Sequence, residues 1–322
     1  METKNVELIA HLMRRAGFGA TRTELEELAA QGYEATIDWL FNTEKDDGIE
    51  IDLARRYHPD YSGGLGMAGF NAFWLHRMIN SQTPLVEKTT LFWHGVFATG
   101  YAKLAQGRVL MDQIEMFREH GFGDLPNLLV KLSKEPSMIL WLDNNDNHSG
   151  AINENYGREL LELFSMGVGN YTEDDVKEAS RAFTGWTVAN TEYMTMKARN
   201  DSLWPYGRLN LHFEFRENDH DELEIDFLGH RDKSAGESVV DIICQQEATA
   251  IFIARHMYSF FVADEPPVPS WPYTPPRDPK AIEMLVEAYF ENGYQIKPML
   301  QRLFQADSVS YTHLTLPTIL LV

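Results

Sequence analysis

Residues 153–176 read NENYGRELLELFSMGVGNYTEDDV. Wound at 100° per residue, Asn153–Met166 divides into two arcs. Glu154, Asn155, Arg158, Glu159 and Glu162 share one; Tyr156, Leu160, Leu161, Leu163 and Phe164 share the other. That is the 3.6-residue period of an amphipathic helix. Gly167-Val168-Gly169 stops it, and Thr172 with Asp175 forms a capping box that opens a second helix over Thr172–Thr184. The stretch therefore predicts a helical hairpin.

The same period recurs outward in both directions. Upstream, Val6–Arg15, Thr21–Ala30 (with a Thr21/Glu24 capping box), Tyr33–Phe41, Met67–Ile79, Pro84–Phe97, Arg108–His120, Leu125–Ser133 and Pro136–Leu142 read as helices. Downstream, Ser238–Cys244, Ala248–Val262, Pro279–Gly293 and Ile296–Phe304 do the same. Asp46–Gly66 and Asn190–Gly207 read as irregular. Leu211–Phe215 and Leu223–Phe227 alternate apolar and polar residues with period two and predict a small hairpin. The proline-dense Pro266–Pro279 predicts a rigid, extended connection. The expected fold class is all-α: a multi-helix bundle with a β-hairpin excursion near 211–228. Residues 1–308 read as one large helical domain, with a division into sub-bundles 1–142 and 143–308 left open. Val309–Val322, VSYTHLTLPTILLV, changes composition abruptly, resembles a translated sequencing adapter, and is expected to be a non-native tail.

Composition narrows the classes of function. The chain has 322 residues, 44% of them hydrophobic, enough for a sizeable core. Its formal charge of -20 disfavours phosphate backbones, so no nucleic-acid partner is expected, and it suits cations. The one cysteine, Cys244, can build neither an internal disulfide nor a thiolate metal site and is expected to be buried. No transmembrane segment is expected. The N-terminus lacks the pattern of a secretory signal, so the cytoplasm is the default address and export stays open.

Two constellations carry chemistry. On the polar arc, Glu159 and Glu162 stand at i and i+3, close enough to share a cation or to act as acid and base, with Glu154 and Arg158 beside them. The bland alternative is a solvated face laced by Glu154–Arg158 and Arg158–Glu162 pairs. Just upstream, Asp143, Asn145, Asn147 and Glu154 occupy positions 1, 3, 5 and 12 of a calcium-loop spacing. His148 takes the sixth place, where a glycine with positive φ is preferred. The bland reading is an asparagine-rich turn capping the next helix. His94, among Phe92, Trp93 and Phe97, is a candidate base or ligand, or a core histidine. His220 and Asp221 are further candidates if the fold brings them to a site; as sequence neighbours they make no dyad by themselves. Hydrolase elbows, P-loops, zinc helices and dinucleotide fingerprints are all missing.

Several blocks together resemble one bacterial family, domain of unknown function 1800. They are HLMRRAGFG at 11–19, LFWHGVFAT at 91–99, WLDN at 141–144, the 153–176 stretch, RAFTGW at 181–186, His220-Asp221, Leu228-Gly229 and ARHMYSFFV at 254–262. The resemblance covers roughly residues 5–308. It implies a large, mainly helical protein whose relatives run beyond this chain's end, so a C-terminally truncated member is expected. Many relatives are exported, and many are encoded beside a sulfatase-like protein. The family pattern after His-Asp usually has a Gly and a Lys where this chain has Leu223 and Ile225, a departure that counts against a phosphate- or carboxylate-binding role at that place. No activity follows from the resemblance. The first expectation is a metal-dependent, hydrolase-type enzyme using a divalent ion (Ca, Zn, Mn or Fe), with Glu154, Arg158, Glu159, Glu162, His94, His220 and Asp221 as site residues. The second is a non-catalytic helical accessory or assembly partner of the sulfatase-like protein.

Overall fold

The structure is a computed structural model. It describes residues 2–45, 48–49, 67–104, 107–190, 211–233, 235–266, 268 and 274–306. The tail at 309–322, most of the irregular stretches at 46–66 and 190–207, and the middle of the proline-dense connection lie outside the described residues. The described residues form fifteen α-helices and two two-stranded antiparallel sheets, so the protein is mainly α-helical with small β ribbons. None of the described helices is long and apolar enough to cross a membrane.

The chain divides into two compact units, each assembled from separated stretches. Residues 126–142 belong with 143–249, so a boundary after residue 142 does not describe them.

The first unit comprises Met1–Val96, Phe117–Leu125 and Ala250–Val322. Its helices are α1 (Glu2–Ala16), α2 (Arg22–Gln31), α3 (Tyr33–Phe41), α4 (Met67–Asn80) and α5 (Pro84–Val96). The end of α7 (Gly107–His120), most of α13 (Glu247–Phe261), α14 (Pro279–Glu291) and α15 (Ile296–Gln305) complete it. The Thr21/Glu24 capping box is formed, and α5 starts on its proline as the sequence predicts. Phe92, Phe261, Phe304 and Phe41 follow one another through tilted and edge contacts at 5.6–6.2 Å and centre the core. Glu87 on α5 is fully buried. Arg77 Nε donates to it at 3.0 Å, Arg118 Nε at 2.7 Å and Trp74 Nε1 at 3.1 Å. Arg255, also buried, donates to Glu265 at 3.0 Å and to the carbonyls of Pro266 and Thr274. The proline-dense connection is thus tied at Pro266 and at Thr274 to one guanidinium.

The second unit comprises Phe97–Met116 and Pro126–Thr249. It holds α6 (Tyr101–Leu104), the start of α7, the rest of α8 (Leu125–Lys134), α9 (Pro136–Trp141), α10 (Asn155–Glu162), α11 (Glu173–Ala182) and α12 (Gly236–Cys244), with Cys244 buried. Helix α10 is shorter than its apolar period predicts. Asn153 Oδ1 accepts from the Asn155 N–H at its start. Beyond Glu162 the chain tightens into turns, which leaves Leu163 40% exposed instead of inside. The β excursion is present, with pairing that differs from expectation. Strand β2 (His212–Phe215) pairs back to β1 (Trp186–Ala189), in register Trp186↔Phe215, whereas β3 (Glu224–Phe227) pairs with β4 (His230–Lys233). Two causes are visible. Trp186 packs edge-on against Phe213 at 5.2 Å, and Leu228-Gly229, with φ of 50° and 78°, makes the tight turn between β3 and β4.

Candidate functional site

The blocks at 141–144, 153–176, 181–186 and 220–221 lie together in the second unit. Glycine makes the first contact: a Cβ on Gly157 of α10 would lie 2.2 Å from Ser180 Oγ of α11, so the two helices touch backbone to side chain. That closeness lets the asparagine-rich loop before α10 reach the end of α11. Asn144 is buried and donates to the carbonyls of Phe183 (3.2 Å) and Trp186 (2.9 Å). Asn147, also buried, donates to Asn144 Oδ1 (3.2 Å) and to the Ser180 carbonyl (2.8 Å), and accepts from the Asn153 N–H (3.0 Å). Asn153 and Asn155 donate to the carbonyls of Asp143 and Leu142. Each amide closes a main-chain group that burial would otherwise leave without a partner.

His220 and Asp221 join this knot from the other side. His220 Nδ1 lies 2.8 Å from the Thr184 carbonyl, and its ring meets Phe215 edge-on at 5.2 Å. Asp221 accepts from Arg181 Nε at 2.8 Å, and this bond holds its carboxyl below the ordinary value. Arg181 also grips Glu178 through Nη1 at 2.8–2.9 Å. His148 Nδ1 and Asp219 Oδ2 are 2.5 Å apart.

The calcium-loop residues are engaged with the protein. Asp143 has φ 56° and pairs with Lys103 at 2.7 Å; the left-handed residue is therefore the first of the spacing and not His148. Asn145 donates to Asp146, Asn147 is consumed as above, and Glu154 accepts from Arg158 at 3.3 Å. Among the described residues no group of three or more His, Cys, Asp or Glu is arranged to hold a metal ion.

The polar arc of α10 is intact. Arg158 is held by both oxygens of Glu173 at 2.8 and 2.7 Å as well as by Glu154. Glu162 accepts from the Tyr171 hydroxyl at 3.1 Å. Burial, and then the Glu162 charge, push the Tyr171 hydroxyl well above its ordinary value. Glu159 alone on this arc has a side chain with no hydrogen bond or ion pair among the described residues. Burial and then Glu162 raise its carboxyl, against the pull of Arg158. An acid so raised is a better proton acceptor in its ionised form than a free surface carboxylate.

His94 lies in the first unit. Its ring meets Trp74 edge-on at 5.4 Å, its Nδ1 is buried without a hydrogen-bond partner among the described residues, and burial lowers its pKa, favouring the neutral ring. Tyr171, Glu173, Asn144 and Thr184 were missed by periodicity, because each meets its partner through a turn or a strand with no fixed spacing.

A helical hairpin, two short ribbons and a knot of asparagines, one arginine and one histidine define a mainly helical protein. The chain belongs to the family described as "Protein of unknown function (DUF1800)", whose pattern matches residues 11–317. That span includes the first part of the stretch expected to be foreign. No curated protein and no solved structure matches the chain.

Proposed function

We propose that the polar arc of α10 is the acid–base site of a hydrolytic enzyme. Glu159 is the proton acceptor, and Glu162 supplies oxygen for a divalent cation of the Ca, Zn, Mn or Fe group. The observation that carries this reading is the Glu159 carboxyl: half-buried, raised, and without a partner among the described residues while its charged neighbours on the arc are paired. Glu162 would hold the cation, which would supply a Lewis acid beside the attacking water. Glu159 takes one of the water's protons, the resulting hydroxide attacks an electrophilic carbonyl or phosphoryl centre, and Glu159 returns the proton to the leaving group. The Tyr171–Glu162 hydrogen bond orients the second carboxylate. Elemental analysis of protein purified without chelator, followed by a panel of ester and phosphoester substrates with added metal, tests it. Bound metal and turnover that both disappear in Glu159→Gln and Glu162→Gln, with the helical spectrum unchanged, are expected. Metal uptake unchanged in both variants would overturn the proposal.

A second reading makes the protein a helical partner of a sulfatase-like protein. It is favoured by Leu75 and Ile79, one turn apart on α4 and 57% and 77% exposed. Co-purification with that protein, lost on Ile79→Glu, is the expected result; a monomer that ignores it counts against this reading.

A further inference from the structure

The first unit carries a half-open groove of about 860 Å³ between α2 and the end of α4. On α2, Glu24, Glu27, Leu28 and Gln31 stand at i, i+3, i+4 and i+7, and all four line it. Trp39, Phe18 and Ile79 supply apolar walls, with Ile79 77% exposed and Phe18 38% exposed. Among the described residues the lining contains two carboxylates and no Lys, Arg or His. Lys45 and Lys88 lie over the rings of Trp39 and Phe18, at 3.7 and 5.0 Å, and neither lines the groove. The Thr21 hydroxyl and N–H hold Glu24 below the ordinary carboxylate value, so its charge persists into mildly acidic solution. Arg22 is taken by Glu26 and cannot neutralise the wall.

An open trough with apolar walls and carboxylates along its α2 edge has a definite complement. Apolar side chains at helical spacing fill the trough, and cations on the flank of the same helix meet the acidic edge. We infer that the groove receives a cationic amphipathic helix of a partner protein. Its leucine-type side chains lie against Leu28, Trp39 and Ile79, and its lysines or arginines lie against Glu24 and Glu27. The inference rests on the partner-protein reading above and names the chemistry of that partner.

The test titrates a synthetic helix of about 18 Leu and Lys residues into the full chain, followed by tryptophan fluorescence and calorimetry. A Ser/Lys peptide of equal charge and a Leu/Glu helix serve as comparisons. Saturable one-to-one binding that weakens with salt is expected, with affinity falling at least about tenfold in Ile79→Glu and in Glu27→Lys. Both positions line an open groove, so both variants keep the wild-type helical spectrum. Binding no tighter than that of the Ser/Lys peptide, or indifference to both substitutions, overturns the inference. A concentration-dependent dimer abolished by Ile79→Glu also overturns it, by assigning the face to a second copy of the chain. If the Leu/Lys helix fails while the sulfatase-like protein still co-purifies, the groove assignment falls and the partner reading survives. If both fail, both fall.

Discussion

Gly157 faces Ser180 so closely that any Cβ would enter the serine oxygen's space, at 2.2 Å, and would also crowd the Ser180 nitrogen at 2.9 Å and the Val176 carbonyl at 3.0 Å. Two of these three atoms are backbone and cannot swing away. Gly157→Ala is therefore expected to destabilise the second unit by about 1–3 kcal/mol despite the better helix propensity of alanine. Thermal unfolding followed by circular dichroism measures it; an unchanged or raised midpoint would mean that the helix pair has slack.

The asparagine knot makes a sharper prediction at Asn147, whose amide nitrogen donates to two oxygens. Asn147→Asp keeps the shape and replaces the donor with a third oxygen. A loss of about 2–3 kcal/mol is expected in urea unfolding at neutral pH, partly recovered in acid where the new carboxyl is protonated and donates again. Equal losses at both pH values would argue against this bonding.

In the first unit, Glu87 is the anion between Arg77 and Arg118. Glu87→Gln keeps the volume and leaves two guanidiniums facing a neutral amide. About 3–5 kcal/mol of destabilisation is expected, read as a lower denaturant midpoint. A cost below about 1 kcal/mol would show that the cluster is neutralised from elsewhere.

Glu135 should make stability fall with rising pH. Burial, then the nearby Asp112 charge, push its carboxyl from 4.5 to about 7, with Lys131 opposing. The folded state therefore binds the proton more tightly than the unfolded state. The stabilisation is complete below pH 4.5 and is lost as pH rises through about 7. Glu135→Gln should flatten this part of the stability curve and be the more stable variant at pH 8, by on the order of 2 kcal/mol. A wild-type and variant curve that run parallel from pH 4 to 8 would refute it.

Helix existence was legible in the sequence because it depends on local terms. The Thr21/Glu24 and Thr172/Asp175 boxes, Pro84 at a helix start, and the apolar arc of Tyr156, Leu160 and Leu161 each act within one or two turns, and all appear where the period puts them. The polar arc of Glu154, Arg158, Glu159 and Glu162 is likewise a consequence of helical geometry alone. Tertiary structure decided the rest. Which strand β2 pairs with depends on Trp186 meeting Phe213 across 27 positions of chain, and no alternation of residues encodes that partner. Oxygens spaced like a calcium loop were turned instead to Lys103, the Asn153 N–H and Arg158, because burial makes an unpaired main-chain group or side-chain charge costly and the fold supplied partners nearby. Glu159 stands out only there: its sequence places it among equals, and its neighbours' partners leave it, among the described residues, the one carboxylate on the arc whose side chain has no hydrogen bond or ion pair.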